Sequence, residues 1–261
     1  MTSSGPSESE AAEEAARVVW QRRKPEAIKR IGILEDVIAA LVEGRLDAHL
    51  RLAGEDAAHK LAGSLGSFGF SRGSELAFQA EALVGGHGSL EVGDARRLAE
   101  WVDGMRVEIE RPVGLIDEAS ATMERDAAAD GFRGDGKLDV VMVEDDEVLA
   151  ELLLYGLRNA GLVVEWIDDG GDAVDTLAGD RPRLVPGVVL LDVDLPAVNG
   201  IGVLRAMADS GALRNTRVIM LTARASEHET VETFEIGAFD HVAKPFSLPV
   251  LIQRIRRALE G

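Results

Sequence analysis

Five short apolar runs, recurring along the second half of the chain, most constrain what this sequence can fold into. Amphipathic stretches of about ten to fifteen residues separate them, as expected for helices between strands. Strands that are apolar on both faces belong in a parallel sheet covered by helices. The alternation therefore predicts a doubly wound α/β domain. The runs are LDVVMV (138–143), LVVEWI (162–167), PGVVLL (186–191), TRVIML (216–221) and FDHVA (239–243).

The first half of the chain instead follows a helical period. Apolar residues recur at 3.6-residue spacing from about residue 24 to 125. Four helices joined by short connections predict an all-α, antiparallel four-helix bundle. Pro112 falls inside the fourth helix and should kink or interrupt it. The first predicted helix carries its apolar spacing from Ile28 to Val42, and the other three cover residues 46–68, 75–84 and 92–123.

These two patterns divide the chain into two domains and two connecting segments. The N-terminal residues are rich in Ser, Glu and Ala with little to bury, which predicts a disordered acidic tail. The segment DAAADGFRGDG, rich in Gly and Asp, is typical of a linker. The predicted boundaries are 1–20 for the tail, 21–125 for the bundle, 126–136 for the linker and 137–261 for the α/β domain.

Composition excludes several classes of function. The formal net charge is −18, from 46 acidic and 28 basic residues, which disfavours binding to nucleic acids and anionic membranes. The absence of cysteine excludes disulfides and thiolate metal sites. No apolar run is long enough to span a membrane, and the acidic N-terminus does not resemble a secretory signal. We therefore expect a soluble, cytoplasmic protein.

Polar residues follow four of the apolar runs, at the strand ends where open α/β sheets place their sites. They are Glu144 and Asp145 after the first run, Asp192 at the end of the third, Thr222 after the fourth and Lys244 after the fifth. Carboxylates packed together must raise a pKa or bind a cation, and an oxygen-only cluster suits Mg²⁺. A lysine and a hydroxyl can contact phosphoryl oxygens. The pattern predicts a carboxylate that attacks phosphorus and becomes an aspartyl phosphate.

These residues resemble the receiver domain of two-component response regulators, a flavodoxin-like (βα)5 fold, over residues 137–261. That family has an acidic pair after strand one and a phosphoacceptor Asp ending strand three. A Thr or Ser follows strand four, and Lys-Pro follows strand five. The resemblance implies that Asp192 is the phosphoacceptor and that Lys244 and Thr222 bind phosphoryl oxygens.

The same resemblance implies a metal site and a switch. The implied Mg²⁺ ligands are Asp145, Asp192 and the backbone carbonyl of Asp194, with Glu144 tuning the site. His241 stands three residues before the lysine, at the family's aromatic switch position, where it would couple to Thr222. A competing resemblance comes from Asp192-Val193-Asp194, a DxD similar to that of haloacid-dehalogenase-type phosphatases. That family places its motif on the first strand, whereas here it follows the third.

A single histidine, His59, lies within the predicted second helix, in the stretch AHKLAGSLGSFGF (58–70). Helical phase places it opposite the apolar stripe, so we expect its imidazole to face solvent. Gly63 and Gly66 share that side, where their missing side chains would give a partner clearance. An exposed imidazole is a competent nucleophile toward an acyl phosphate. The stripe is Leu50, Ala53, Ala57, Leu61, Leu65 and Phe68.

This segment resembles the histidine phosphotransfer (HPt) domain, a four-helix bundle whose second helix exposes a phosphorylatable His. In that family Gly and Ser follow the His after four and five residues, and a further Gly ends the helix. Here they are Gly63, Ser64 and Gly69. Ala62 departs from the usual lysine. The resemblance implies that His59 exchanges phosphoryl groups with a receiver.

Together the two halves predict a phosphorelay protein that transfers phosphoryl groups between His59 and a receiver aspartate, either Asp192 or one on another protein. We expect a phosphoryl acceptor with self-dephosphorylation as an accompanying activity, rather than a conventional turnover enzyme. The expected partners are a sensor histidine kinase, another receiver or another HPt protein, and a receiver dimer through Asp240 and Arg254 is compatible with the sequence. Two alternatives are an interaction module without an output domain and a fragment whose output domain lies beyond Gly261.

Overall fold

The chain folds into two compact units. One unit spans residues 16–123, and residues 124–261 belong to the other. The predicted linker, 126–136, and the first seven residues of the predicted tail lie outside the residues that the structure describes. The described residues of this computed structural model are 8–86, 88–113, 138–178, 182–223 and 227–260, without the side chains of 8–15 and 227.

The N-terminal unit is helical, as predicted. Asp47 caps the second helix by accepting a hydrogen bond from the backbone N–H of Leu50. Gly69, with φ of 83°, allows the sharp turn between the second and third helices. In the described part of the chain no helix has the length and apolar content needed to cross a bilayer. The helices are α1 Glu8–Val42, α2 Ala48–Ser67, α3 Ser71–Val84 and α4 Val92–Ile109.

The first helix starts earlier than the sequence predicted. Residues 8–20 were expected to be disordered, but α1 begins at Glu8. The aromatic ring of Trp20 is buried, with its centroid 5.1 Å from that of Phe68 and 4.8 Å from that of Phe70. This cluster anchors the N-terminal part of α1 to the end of α2, a long-range contact that local composition does not reveal.

The fourth helix is shorter than predicted. It ends at Ile109, three residues before Pro112, because a proline disfavours helical geometry in the residue that precedes it. The rest of the predicted helix, from residue 114 to 123, lies outside the described residues. Ion pairs join α1 to α4: Lys24 Nζ lies 2.7 Å from Glu110 Oε2, and Arg106 Nη2 lies 2.7 Å from Glu35 Oε1.

The C-terminal unit is an α/β domain with a parallel, five-stranded sheet, which confirms the predicted fold class. The strand order is β2-β1-β3-β4-β5. The strands are β1 Val140–Val143, β2 Val164–Ile167, β3 Val188–Asp192, β4 Arg217–Thr222 and β5 Asp240–Ala243. The helices are α5 Glu147–Asn159, α6 Gly170–Leu177, α7 Gly200–Asp209, α8 Glu227–Ile236 and α9 Leu248–Glu260.

This strand order fixes where a site can form. The direction of winding reverses between β1 and β3, and open α/β sheets bind ligands in the crevice at the carboxyl ends of such strands. Val143, the last residue of β1, pairs with Leu191 of β3. The loop after β1 therefore begins beside Asp192, the last residue of β3. Buried apolar residues on β1, β3 and β4 hold these strand ends in a rigid core.

Candidate functional site

Three carboxylates meet at the crevice between β1 and β3. Glu144 and Asp145 directly follow β1, and Asp192 ends β3. One ligand oxygen from each residue lies within 4.8 Å of those from the other two. Glu144 and Asp192 are each 1% exposed, and Asp145 is partly exposed. The cluster thus has two buried carboxylates and one that reaches toward solvent.

Asp192 has an uncommon environment for a buried carboxylate. Within the described residues neither of its oxygens accepts a hydrogen bond, although Lys244 Nζ lies 3.0 Å from Oδ2. An ionised carboxylate without hydrogen bonds is costly to bury, so its free lone pairs suit a cation or an electrophile. This observation, together with the all-oxygen donor set of the cluster, fits a hard divalent cation.

Lys244 provides the positive charge of the site. Its Nζ donates a 2.7 Å hydrogen bond to Glu144 Oε2, and its backbone N–H donates to the carbonyl oxygen of Thr222 at 2.7 Å. Burial alone would lower the pKa of Lys244, but Asp192 and Glu144 outweigh it and hold that pKa above its ordinary value. The side chain is therefore an ammonium ion that contacts two of the three carboxylates.

Among the three carboxyl groups, Glu144 has a strongly raised pKa. Burial first, and the Asp192 carboxylate second, raise the pKa of Glu144 from 4.5 to about 8, against the opposing effect of Lys244. Ionising all three carboxylates beside one ammonium would leave two negative charges in excess, which the raised pKa of Glu144 opposes. A divalent cation would neutralise them and favour the ionised form of Glu144.

The loop after β3 is held tightly against Asp192. The backbone N–H of Gly200 donates to the carbonyl oxygen of Val193 at 2.9 Å, and Asn199 caps α7 through Gly202 N–H. A Cβ atom on Gly200 would overlap the backbone carbonyl of Asp192. The side chain of Asp194 is exposed and is not one of the clustered carboxylates. Its backbone carbonyl stays a predicted ligand.

Thr222 and His241 lie near each other, but His241 contacts a residue that the sequence did not single out. Both line the same small cavity, together with Thr233 of α8. His241 Nε2 lies 2.5 Å from Thr233 Oγ1, and its ring centroid lies 4.8 Å from that of Phe234. Burial lowers the pKa of His241, opposed by Asp240. The predicted coupling to Thr222 therefore has a competing hydrogen-bond partner on α8.

His59 lies on α2 and is less exposed than predicted. Its side chain is 20% exposed, and Nδ1 lies 3.3 Å from Glu81 Oε1 on α3. Gly63 and Gly66, predicted to face solvent, are both buried. Helical phase predicts one packed stripe on α2, but residues 61–68 are all buried in the structure. The glycines therefore do not form an open clearance beside the imidazole.

The third helix packs closely along α2 and explains part of this burial. The hydroxyl of Ser74 on α3 donates to the carbonyl oxygen of Ala62 at 2.7 Å. Gly73, also on α3, lies where a Cβ atom would be 3.2 Å from Leu65. Small residues at this contact let the two helix backbones approach. The same approach places Glu81 beside His59, which the sequence alone did not predict.

The sequence did not predict a role at these sites for two residues, Glu81 and Trp166. Glu81 has no local signal, since it is one acidic residue among many on an amphipathic helix. Trp166 lies in the second apolar run and looks like a core residue. In the structure its indole Nε1 donates a 2.8 Å hydrogen bond to the backbone carbonyl of Glu144. Both contacts depend on packing between elements rather than on spacing in the sequence.

Comparison with known families identifies two regions of the chain. A family model described as "Response regulator receiver domain" matches residues 140–256. A second, described as "Hpt domain", matches residues 25–111. The first region contains the carboxylate cluster and Lys244, and the second contains His59 and Glu81.

Curated relatives match the C-terminal region. "Transcriptional regulatory protein CutR" of Streptomyces coelicolor is 39% identical over 117 residues, which are 45% of this chain and 51% of that protein. "Phosphate regulon transcriptional regulatory protein PhoB" of Rhizobium meliloti is 39% identical over 120 residues, 46% of this chain and 51% of that protein. The chain thus spans about half the length of the curated relatives it matches.

Solved structures match the same region. The receiver domain of Francisella response regulator 1452 is 25% identical, with a TM-score of 0.43, covering 48% of this chain and 98% of that one. The receiver domain of the sensor histidine kinase PA1611 from Pseudomonas aeruginosa PAO1, described with magnesium coordinated in its active-site cleft, is 27% identical. Its TM-score is 0.42, and the match covers 48% of this chain and 99% of that one.

Proposed function

The chain joins an Hpt domain to a response regulator receiver domain, and from this premise we propose a phosphorelay function with Asp192 as phosphoryl acceptor and His59 as phosphoryl carrier. Two-component signalling follows from the two domains themselves. The roles of individual residues are the proposal. The observation that carries it is the buried Asp192 carboxylate, which contacts Lys244 but accepts no hydrogen bond among the described residues.

The proposed reaction is a displacement at phosphorus. An oxygen of Asp192 attacks the phosphorus of a phosphohistidine, a P–O bond forms and the P–N bond breaks. The electron pair of that bond returns to the ring nitrogen, and the imidazole, which keeps its proton on the other nitrogen, leaves as a neutral group. The product is an aspartyl phosphate, and the reverse reaction returns the phosphoryl group to a histidine.

Lys244 and Thr222 are the side chains that would contact the oxygens of the transferred phosphoryl group. Lys244 Nζ already lies 3.0 Å from Asp192 Oδ2, so its ammonium is placed to contact oxygens bonded to the same phosphorus. Thr222 ends β4, is 4% exposed and carries a hydroxyl that can donate to a phosphoryl oxygen. We propose that this contact draws Thr222 away from the cavity that it lines with His241.

The residues present also fit the Mg²⁺ ion that receiver chemistry implies. Asp145 and Asp192 would hold it, with the backbone carbonyl of Asp194, and Glu144 would tune the charge of the site. When bound, the ion neutralises negative charge on the carboxylates and on the phosphoryl oxygens. The crowding of three carboxylates around one ammonium supports this assignment, because the cluster lacks the positive charge to keep all three ionised.

His59 would carry the phosphoryl group in the Hpt domain. Because Glu81 contacts Nδ1 at 3.3 Å, we assign Nε2 as the nitrogen that bonds to phosphorus. A carboxylate at Nδ1 fixes the tautomer with a proton on that nitrogen and stabilises the positive charge that the ring gains when Nε2 bonds to phosphorus. The proposed partners are a sensor histidine kinase, a receiver or another Hpt protein.

A second function, phosphorylation-gated docking, is favoured by the surface of α8. Val231 and Phe234 are 51% and 47% exposed, and Phe234 contacts the ring of His241. Movement of His241 would therefore displace Phe234 and change the apolar surface that Phe234 forms with Val231. In this alternative the output is a change in partner affinity rather than phosphoryl flux.

A phosphotransfer time course tests the proposal. The wild type, His59→Gln and Asp192→Asn proteins are each incubated with a labelled phosphodonor and a partner receiver. We expect Asp192→Asn to lose label in its own receiver and His59→Gln to lose exchange with the partner. Unchanged exchange by His59→Gln would remove His59 from the scheme. Partner binding measured on the same samples separates phosphoryl flux from gated docking.

A further inference from the structure

The side chain of Trp166 joins the edge strand of the sheet to the loop that carries the acidic pair. Trp166 lies on β2, which among the described residues pairs with β1, and it is in register with Met142. Its indole N–H donates a 2.8 Å hydrogen bond to the backbone carbonyl of Glu144, 22 residues earlier in the chain. This is a contact between a side chain and the one peptide group that links Glu144 to Asp145.

The backbone and side chain of Glu144 are held at four points. Its N–H donates to Ile167 O at 3.1 Å, and its carbonyl accepts from Trp166. Its carboxylate accepts from Lys244 Nζ at 2.7 Å and from the N–H of Asp146 at 3.3 Å. The three contacts besides the Trp166 bond come from Ile167 on β2, from Lys244 after β5 and from Asp146 in the acidic loop. The Trp166 bond is the one that sets the direction of the carbonyl.

The direction of that carbonyl determines where Asp145 lies. Because the peptide bond is planar, the carbonyl oxygen of Glu144 and the N and Cα atoms of Asp145 lie in one plane. A hydrogen bond that fixes this oxygen therefore also fixes the orientation of the peptide plane that leads into the Cα atom of Asp145. Of the three clustered carboxylates, Asp145 alone is partly exposed, whereas Glu144 and Asp192 are held by the buried core. A restraint on its peptide plane matters most for this residue.

We propose that Trp166 is a positioning residue of the carboxylate site, which orients Asp145 through the Glu144 carbonyl and thereby strengthens cation binding. The proposal rests on the metal-dependent function proposed above. Loss of one hydrogen bond behind the ligands should weaken Mg²⁺ binding by about threefold to tenfold. We assign this effect to the indole N–H group, which donates to the Glu144 carbonyl.

An isosteric change isolates this N–H group. In the full-length chain, position 166 alone receives a tryptophan analogue in which sulfur replaces the indole N–H, and Mg²⁺ affinity is measured by calorimetry. We expect affinity to fall by about threefold to tenfold, and Trp166→Phe to fall in the same direction. The matched control places the same analogue at Trp101, on α4 of the other unit, where Mg²⁺ affinity should not change.

A second readout needs no substitution. In the wild-type protein the indole N–H resonance of Trp166 should shift during Mg²⁺ titration with the same midpoint as the amide of Asp145. The indole resonances of Trp20 and Trp101 should stay fixed. A shift of the Asp145 amide without any shift of the Trp166 indole would overturn the proposal.

The outcomes distinguish this inference from the function on which it rests. If the wild type shows no saturable Mg²⁺ binding, the proposed metal-dependent function fails. If the wild type binds Mg²⁺ and the sulfur analogue at position 166 binds it equally well, the metal site stands and the role of Trp166 is wrong.

Discussion

Lys244 donates a 2.7 Å hydrogen bond to Glu144, and both side chains are buried where β5 and β1 end. The same ammonium lies 3.0 Å from Asp192. One cation thus compensates two buried carboxylates. Lys244 therefore has two roles in this account. It stabilises the folded receiver domain in the unphosphorylated state, and it lies where it can contact an oxygen of a phosphoryl group on Asp192.

Replacing Lys244 should destabilise the receiver domain strongly. Lys244→Met keeps an extended side chain but leaves Glu144 and Asp192 without their ammonium. We expect the free energy of unfolding to fall by about 3–5 kcal/mol without Mg²⁺, as measured by urea denaturation. The control is Arg254→Met, which breaks the more exposed ion pair with Asp240 and should cost at most about 1 kcal/mol. Equal losses in the two variants would contradict this account.

The raised pKa of Glu144 predicts a pH dependence with a definite sign. The folded state binds this proton more tightly than the unfolded state, since the pKa is 4.5 in an ordinary glutamate and about 8 in the folded site. Stability from this group is therefore complete below about pH 4.5 and is lost as the pH rises through about 8. Glu144→Gln removes the titration.

The measurement is the difference in free energy of unfolding between wild type and Glu144→Gln across that pH window, in the absence of Mg²⁺. We expect the wild type to lose stability relative to the variant as the pH rises, and the difference to level off once Glu144 is ionised. Parallel curves over the whole window would show that Glu144 has an ordinary pKa.

Gly200 should not tolerate a side chain. A Cβ atom there would overlap the backbone carbonyl of Asp192, so Gly200→Ala must displace the loop that follows the acceptor. We expect a loss of about 1–3 kcal/mol in the free energy of unfolding and slower phosphorylation of Asp192. Gly32→Ala is the control, because nothing lies within 4 Å of its added Cβ inside α1. It should stabilise its helix by about 0.5–1 kcal/mol.

Glu81 should matter for phosphoryl exchange at His59. Glu81→Gln keeps the shape of the side chain but removes the charge beside Nδ1. We expect the transfer rate to fall by about tenfold to a hundredfold, the value of a charge-assisted hydrogen bond. Asp56→Asn is the control, because Asp56 is an exposed carboxylate on α2, the helix of His59, where it pairs with Lys60. A loss of rate in Asp56→Asn as large as in Glu81→Gln would point to a general effect of surface charge.

The sequence predicted the C-terminal fold well because its strands are marked by a strong local signal. Apolar runs of five or six residues that alternate with amphipathic helices are typical of strands buried on both faces of a covered sheet. Once the strand order is known, Glu144, Asp145, Asp192 and Lys244 must converge, since parallel strands end at one edge. The structure brings these four side chains together as the strand ends predicted.

The parts that the sequence missed depend on contacts between distant segments. Trp20 packs α1 against Phe68 and Phe70 within the segment that was predicted to be a disordered tail, and nothing near Trp20 in the sequence indicates this. Thr233 takes the hydrogen bond of His241 because α8 packs beside β5. The burial of Gly63 and Gly66 likewise reflects packing on a second side of α2. Helical phase identifies one packed face but cannot exclude another.

The most direct test of the central claim is peptide mass spectrometry after incubation of the full chain with acetyl phosphate and Mg²⁺. We predict one added phosphoryl group on the peptide that contains Asp192, absent from Asp192→Asn and absent when Mg²⁺ is removed with a chelator. An unmodified Asp192 peptide in a protein whose circular dichroism shows an intact fold would contradict the account.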